Sequence, residues 1–251
     1  MHNISTQYRP AGTLRSAWII AMRQTKETIF ARRSLYTLGL SLLFIVMEVN
    51  TGLAASLSGS ASQREKGLLV AIWLSWAVIL NAAAAILASV NAFAGDKERG
   101  SLLPLLATPA SNLAIFAGKI LGSIIPACVY ALIGAIFYFG FVIFTYSANI
   151  LRSIPWGIAT FVLILALGMM LLGAVLTSII SSRTKKFQTA QAISSMISSI
   201  IFVGVLFGSL RLNTLGSWAY PAADAALILL DIVLVVLAAT TWKREEVMAR
   251  I

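Results

Sequence analysis

The residues of this sequence that could do chemistry are few, and most of them are acids within apolar runs. Asp224 and Asp231 are seven residues apart, which places them about 10 Å apart along a helix. An aspartyl protease needs two carboxyl groups close enough to share a proton. A serine protease would need a basic residue within the apolar runs, and the only histidine, His2, lies at the N-terminus. The sequence therefore argues against an intramembrane protease.

Nucleotide and metal chemistry are disfavoured as well. A P-loop has the pattern G-x-x-x-x-G-K-[ST], whereas Gly118-Lys119 is followed by Ile120 and position 113 is a leucine. With one cysteine, Cys128, and one histidine, the chain cannot assemble a Cys/His metal site or an intrachain disulfide. We predict that the chain is not an enzyme by itself and carries no metal or cofactor.

The composition is that of an integral membrane protein. Hydrophobic residues make up 59% of the 251 residues and charged residues 11%, against roughly 25% charged residues in a soluble domain. Several apolar runs exceed the ~18 residues that a membrane-spanning helix needs. The net charge of +10 is scattered over short loops, which indicates membrane orientation rather than nucleic-acid binding.

These runs predict an all-α membrane protein with six transmembrane helices. The predicted spans are Leu35–Leu57, Leu68–Phe93, Leu113–Phe144, Trp156–Ile180, Ala190–Leu210 and Trp218–Trp242. The third run is kept as one helix despite Pro126, with its first turns in the membrane interface. The spans form one permease domain, residues 34–242, between an N-terminal segment, 1–33, and a tail, 243–251.

The positions of the lysines and arginines predict the orientation. Fifteen of the nineteen lie in the N-terminal segment, the loops after spans two and four, and the tail. Because cytoplasmic loops carry the excess of Lys and Arg, both termini are expected in the cytoplasm, in a multi-pass protein of the inner (cytoplasmic) cell membrane. The outer loops are too short for a domain, but they would allow a separate extracytoplasmic accessory protein to bind.

The segment before the first span predicts an amphipathic helix in the headgroup layer. Its apolar residues recur at helical spacing, while its charged residues fall on other faces. The apolar set is Leu14, Ala17, Trp18, Ala21, Met22 and Ile29. Two interpretations stay open: a membrane anchor, or a lever that also contacts a cytoplasmic partner.

Polar residues inside the spans are candidates for a transport path. An ionisable group at the bilayer centre costs at least ~2.5 kcal/mol, so such groups normally face a cavity or a partner. The candidates are Glu48, Asn50, Asn81 and Asp231. Asp224 is expected near the outer interface.

Small residues in the fifth span have two interpretations. Their spacing allows helices to approach closely, either within the chain or between two copies of it. The candidate contact residues are Ser194, Ser198, Gly204 and Gly208. Gly118 and Gly122 in the third span carry the same ambiguity.

The most informative stretch is the inside loop from Asp96 to Pro109. It opens with four alternating charges, Asp96 to Arg99, followed by a bend at Gly100. Ser101 is a suitable N-cap for a short helix over residues 102–107, which Pro109 would end. An apolar knob of leucines with a charged rim suits a helix-in-groove contact with a partner. A loop lying on lipid with solvated charges is the alternative.

This stretch resembles the first cytoplasmic loop of ABC-type exporter permeases of the second class, whose pattern is approximately E-[KR]-E-[RKS]-G-T-L-E-x-L-L-x-T-P-[VA]-S and then G-K. The matching residues are Glu98, Arg99, Gly100, Leu102, Leu105, Leu106, Thr108, Pro109, Ala110, Ser111, Gly118 and Lys119. Asp96 and Ser101 are conservative replacements, whereas Leu103 and Pro104 depart from the pattern. Residues 181–191 also look like the family's second cytoplasmic loop.

The resemblance implies a coupling helix that docks on a separate cytoplasmic ATPase, which would bind ATP and Mg²⁺. Two ATPases and two permeases, identical or paralogous, would form the transporter, with spans one and five at the contact between permeases. The implied coupling residues are Asp96, Lys97, Glu98, Arg99, Gly100, Ser101, Leu102, Leu105, Leu106, Thr108 and Pro109. A secondary transporter or channel without an ATPase is the alternative, which the lack of internal repeats disfavours.

Overall fold

The structure is a computed structural model, and the part of the chain that it describes consists of helices and short connections. The described residues are 13–58, 62–79, 82–101, 104–105, 108, 110–184, 186–215 and 218–241. Among them no strand occurs, which confirms the predicted all-α class.

The helices follow the chain from α1 to α10. They are α1 (Thr13–Ile29), α2 (Arg32–Met47), α3 (Ala54–Leu57), α4 (Gln63–Ile79), α5 (Ala82–Val90), α6 (Asp96–Glu98), α7 (Asn112–Tyr146), α8 (Trp156–Arg183), α9 (Phe187–Leu215) and α10 (Ala219–Thr241). A π-helical turn, Glu48–Leu53, joins α2 to α3, and a second one, Asn91–Gly95, joins α5 to α6. A 3-10 helix, Ala148–Ser153, lies between α7 and α8.

Four helical segments of the described chain are long and apolar enough to cross a membrane. They are Ser34–Leu57, Asn112–Tyr146, Trp156–Arg183 and Ala219–Thr240. These segments coincide with predicted spans one, three, four and six. The predicted second span falls on α4, α5 and the π turn that follows, and the predicted fifth span falls on α9. The total of six spans therefore stays a prediction.

Helix α7 shows that the third apolar run is one helix, as predicted. It continues through Pro126 without a break over 35 residues, which corresponds to about 52 Å. The hydrocarbon core of a bilayer is only about 30 Å thick, so part of α7 must extend beyond it. Ser111 caps the N-terminus of α7 by accepting a hydrogen bond from the Ala114 N–H at 3.1 Å.

The main apolar core joins α2, α4, α7 and α8. Ile45 and Leu74 are buried in it, together with Tyr138 and Met170. The Tyr138 hydroxyl donates to the Val70 carbonyl at 2.9 Å, so this phenol is satisfied inside the core. The core fixes the frame on which the helix ends described below are held.

Helix α1 packs along the first part of α7 through small residues. Ala17 and Ala21 are buried, and a Cβ atom at Gly118 would lie 2.7 Å from the Ala17 carbonyl oxygen. A Cβ atom at Gly122 would lie 2.8 Å from the Cβ of Gln24. The two glycines thus serve contact within the chain, which resolves the ambiguity of their spacing.

The apolar residues of α1 are divided between two environments. Ala17 and Ala21 contact α7. Leu14 and Trp18 are exposed, at 88% and 56%, and remain suited to lipid. Because the small residues provide the close approach, α1 is attached to the helical bundle as well as to any surrounding membrane.

Candidate functional site

The site begins at the π turn Asn91–Gly95. The Asp96 N–H bonds to the carbonyls of Asn91 and Phe93, and not to that of Ala92, its α-helical partner four residues earlier. The Ala92 carbonyl is bonded instead by the ammonium of Lys119 from α7. Local π turns are frequent at functional sites. Here the π turn leaves the Ala92 carbonyl facing Lys119, a side chain of another helix.

Lys119 is the most deeply buried charge at this site. Its residue is 1% exposed, and its Nζ atom lies 2.6 Å from Asp96 Oδ2. The same ammonium lies 5.5 Å from the centre of the Phe93 ring, within the range of a cation–π contact. A buried ammonium is tolerated when it is paired and hydrogen-bonded, and Lys119 has both a carboxylate and a backbone carbonyl as acceptors. Lys119 therefore attaches α7 to the first residue of the charged cluster.

Lys97 binds the C-terminal end of α8. Its Nζ atom donates to the carbonyls of Ser182 at 3.1 Å and Thr184 at 3.3 Å, and the residue is only 6% exposed. The last carbonyls of a helix lack intrahelical partners and carry partial negative charge. A cation at this end contributes about 0.3–1 kcal/mol. Lys97 thus closes the end of α8.

Glu98 binds the N-terminal end of α9. Its Oε1 atom accepts a hydrogen bond from the Phe187 N–H at 2.6 Å. Phe187 is the first residue of α9, where the N–H has no intrahelical acceptor and the helix end carries partial positive charge. The Phe187 side chain packs beside Val90 and Ala94, so an apolar contact accompanies the polar one.

Beyond Glu98 the loop turns towards solvent. The Gly100 N–H donates to the Lys97 carbonyl at 3.2 Å, and Gly100 has a φ of +67°, a conformation in which glycine commonly ends a helix. Arg99 and Ser101 are exposed. The Ser101 hydroxyl donates to the Asp96 carbonyl at 3.3 Å, a contact that differs from the predicted N-cap.

The leucine knob lies largely outside the described residues. Leu102, Leu106 and Pro109 are among those not described, so the short helix over residues 102–107 stays a prediction. Leu105 was expected to be exposed, but it is partly buried against the cluster of Phe93 and Phe116. Thr108 closes a turn by donating from its hydroxyl to the Leu105 carbonyl at 2.7 Å.

We call the set of Ala92, Asp96, Lys97, Glu98, Lys119, Ser182, Thr184 and Phe187 the helix junction. In it, three consecutive charged residues each bind a different long helix: Asp96 binds α7, Lys97 binds α8 and Glu98 binds α9. Within the described residues no group of His, Cys, Asp and Glu side chains could hold a metal ion. The arrangement is suited to holding helix ends together.

A family model for ABC-2 family transporter proteins matches residues 22–227. The chain belongs to the ABC-2 transporter family. No curated protein matches this ABC-2 chain. The matched range contains the helix junction and every helix from α2 to α9, so the resemblance of the inside loop extends to most of the chain. The family and the apolar helices together make the chain a multi-pass membrane protein of a transporter.

The predicted transport-path residues of this ABC-2 protein lie in different environments. Glu48 and Asp231 are buried within the chain, at 4% and 3% exposure. Among the described residues, no partner is found for either carboxylate oxygen of Glu48 or for Asp231 Oδ1. Asn50 is exposed, and its amide donates to the Val46 carbonyl at 2.9 Å. Asn81 lies outside the described residues.

The predicted dimer-contact residues of α9 also divide. Ser194 is 1% exposed, so it faces other helices of the same chain. Gly204 is exposed and has open space where a Cβ atom would lie. The surroundings of Ser198 and Gly208 lie outside what the structure describes. Ser194 is thus buried within one copy, whereas Gly204 is accessible from outside it.

Sequence reasoning missed the role of Lys119. It counted this residue as a loop cation, whereas the structure buries it in α7 beside Phe93. One signal was present: Lys119 stands in an apolar run, where a charge normally has a specific partner. The two π turns left no comparable signal in the sequence.

Proposed function

We propose that this chain is the permease subunit of an ATP-driven ABC exporter, and that it works as a dimer with a separate cytoplasmic ATPase that binds ATP and Mg²⁺. Membership of the ABC-2 family supports the transport role. The observation that supports the coupling role is the loop that leaves the helix junction, because it is bonded to other helices at Asp96–Glu98 and is exposed at Arg99, Gly100 and Ser101.

The substrate path would lie between two permease copies. Asn50 is exposed in the π turn that follows α2, and Gly204 is exposed on α9. Family resemblance assigns predicted spans one and five, which contain these residues, to the contact between copies. Glu48 is buried inside one copy, beside the core that contains Tyr138. It would serve transport only if the helices around it separate. Normal transport by Glu48→Gln would exclude this residue from the path.

The decisive experiment is copurification. The protein is purified in detergent with an affinity tag, and the bound fraction is searched for a P-loop ATPase. We expect the wild type to retain such a subunit and Arg99→Glu to lose most of it, because Arg99 is exposed in the coupling loop. The control is Arg152→Glu, the same charge reversal on an exposed residue of the 3-10 helix Ala148–Ser153. Equal retention by both variants would contradict the docking role.

The orientation follows from the same proposal. Both termini and the helix junction lie in the cytoplasm, and the 3-10 helix lies outside, in the inner membrane of the cell. Single cysteines placed at Arg99 and Arg152 in a Cys128→Ser background test this with a membrane-impermeant thiol reagent. Labelling of position 152 alone in intact cells is expected. Labelling of position 99 alone would show that the orientation is the opposite of the one proposed.

A further inference from the structure

We propose that Lys97 and Glu98 are positioning residues that fasten the start of the coupling loop to the connection between α8 and α9, so that displacement of the loop moves the first turn of α9. This rests on the proposed function, since the force would come from the ATPase. The pair forms a clamp, in which Lys97 binds the end of α8 and Glu98 binds the start of α9.

The bonds of the clamp are made at the two helix ends. Only residues 184–186 separate the two helices, and both sides of this connection are bonded: Lys97 to the Ser182 and Thr184 carbonyls, Glu98 to the Phe187 N–H. The clamp therefore bonds the last turn of α8 and the first residue of α9 directly, so a displacement of Lys97 and Glu98 acts on the helix ends themselves.

The charges of the clamp match the helix ends that they bind. The cation meets the partial negative charge at the end of α8, and the anion meets the partial positive charge at the start of α9. Exchanging the two residues would keep the net charge and the composition but place each charge at the repelling helix end. The adjacent Arg99 is exposed and remains available to a partner. Glu98 is likewise exposed, but its carboxylate is bonded to the start of α9.

Apolar packing supports the same route. Phe187 packs against Val90 and Ala94, and a Cβ atom at Gly95 would lie 3.8 Å from the Phe187 ring. The first turn of α9 therefore rests on the π turn that precedes the clamp. A displacement of Asp96–Glu98 reaches Phe187 both through the hydrogen bond of Glu98 and through this contact.

The first experiment tests the clamp without any partner. Amide hydrogen exchange at Phe187 is followed by mass spectrometry of overlapping peptides from the detergent-solubilised protein. Glu98→Ala should accelerate this exchange about fivefold, as expected for loss of a helix cap, whereas Glu98→Gln, which keeps an acceptor oxygen, should have a smaller effect. Lys186→Met is the matched control, an exposed lysine of the same connection. Unchanged exchange in Glu98→Ala would overturn the proposal.

The second experiment tests transmission in the complex with the copurified ATPase. Spin labels on Met196→Cys in α9 and Leu132→Cys in α7, both exposed, report their separation in a Cys128→Ser background. Trapping the ATPase with nucleotide and vanadate should shift this distance in the wild type and in Lys186→Met. The shift should vanish in the exchanged variant Lys97→Glu/Glu98→Lys. It should be present in the single variant Lys97→Arg, which keeps the positive charge at the end of α8.

The outcomes separate this inference from the proposed function. An exchanged variant that keeps both the ATPase and the full α9 shift would overturn the clamp while leaving the permease assignment intact. A wild type that retains no ATPase would contradict the proposed function instead, and Phe187 exchange would still decide whether the clamp exists.

Discussion

The Lys119 ammonium and the Asp96 carboxylate lie 2.6 Å apart, but the lysine side chain is 1% exposed and the aspartate side chain 32%. Water can therefore reach the carboxylate and not the ammonium. Removing either partner breaks the same ion pair, yet the charge left behind is desolvated to a very different degree. This asymmetry makes the pair a sensitive test of how α7 is attached to the inside loop.

Asp96→Ala should destabilise the protein more than Lys119→Met. The first variant leaves a buried ammonium without its carboxylate, which costs about 3 kcal/mol. The second leaves a partly hydrated carboxylate and removes the hydrogen bond of Lys119 to the Ala92 carbonyl, at about 1–2 kcal/mol. Urea unfolding in detergent micelles measures both. The exposed pair Arg23–Glu27, with side chains 80% and 64% exposed, is the control, and Arg23→Ala should change stability by less than about 0.5 kcal/mol.

Gly118→Ala should loosen α1 from α7. Its new methyl group would meet the Ala17 carbonyl at 2.7 Å and Ile20 at 2.8 Å, so we expect a loss of about 1–3 kcal/mol. Faster tryptic cleavage at the basic residues of α1 should accompany it. Gly140→Ala is matched, since it lies in the same helix with no atom within 4 Å of the added methyl. It should leave stability unchanged or raise it by up to about 1 kcal/mol. Equal effects of both variants would refute the close contact.

Asp231→Asn should leave the protein as stable as the wild type or more stable by about 1 kcal/mol, because burying a carboxylate with an unpartnered Oδ1 atom is costly in a membrane. Asp231 Oδ2 faces Gly168 of α8, where a Cβ atom would lie 3.2 Å from it. Thermal unfolding followed by circular dichroism measures the change. A clear loss of stability would mean that the carboxylate has a stabilising partner. Asp231→Leu, which adds branched bulk opposite Gly168, should be destabilising.

The start of α4 should fray under acid conditions. The Ser62 N–H donates to Glu65 Oε2 at 2.7 Å and the Ser62 hydroxyl accepts from the Glu65 N–H at 3.3 Å, which is a capping box. The hydrogen bonds from Ser62 hold the pKa of Glu65 below its usual value. The resulting stabilisation is therefore complete above the usual value of about 4.3 and is lost as the pH falls through the folded-state pKa.

Amide exchange at Ser62, corrected for its intrinsic pH dependence, measures this fraying. Protection should decline below about pH 4 in the wild type. In Glu65→Gln, which retains an acceptor but has no ionisable group, protection should not vary with pH over the same range. A pH-independent wild type would show that the carboxylate does not contribute.

The sequence by itself determined the class of the protein and most of its helices. Long apolar runs predicted the segments now seen as Ser34–Leu57, Asn112–Tyr146, Trp156–Arg183 and Ala219–Thr240, because a membrane requires backbone hydrogen bonds to be made within each segment. Local pattern was sufficient even for Pro126, since the run continues on both sides of it. The inside loop indicated the family for the same reason: its pattern is contiguous.

Only the tertiary structure decided what the charged residues of that loop bind. Lys97 binds Ser182 and Thr184, which lie 85 and 87 residues further along the chain, and Glu98 binds Phe187, 89 residues away. Side-chain hydrogen bonds to distant backbone atoms leave no periodicity, because the backbone presents the same groups at every position. The sequence marked the cluster Asp96–Arg99 as functional; the packing of α7, α8 and α9 around it determined that Asp96, Lys97 and Glu98 hold helix ends while Arg99 remains exposed.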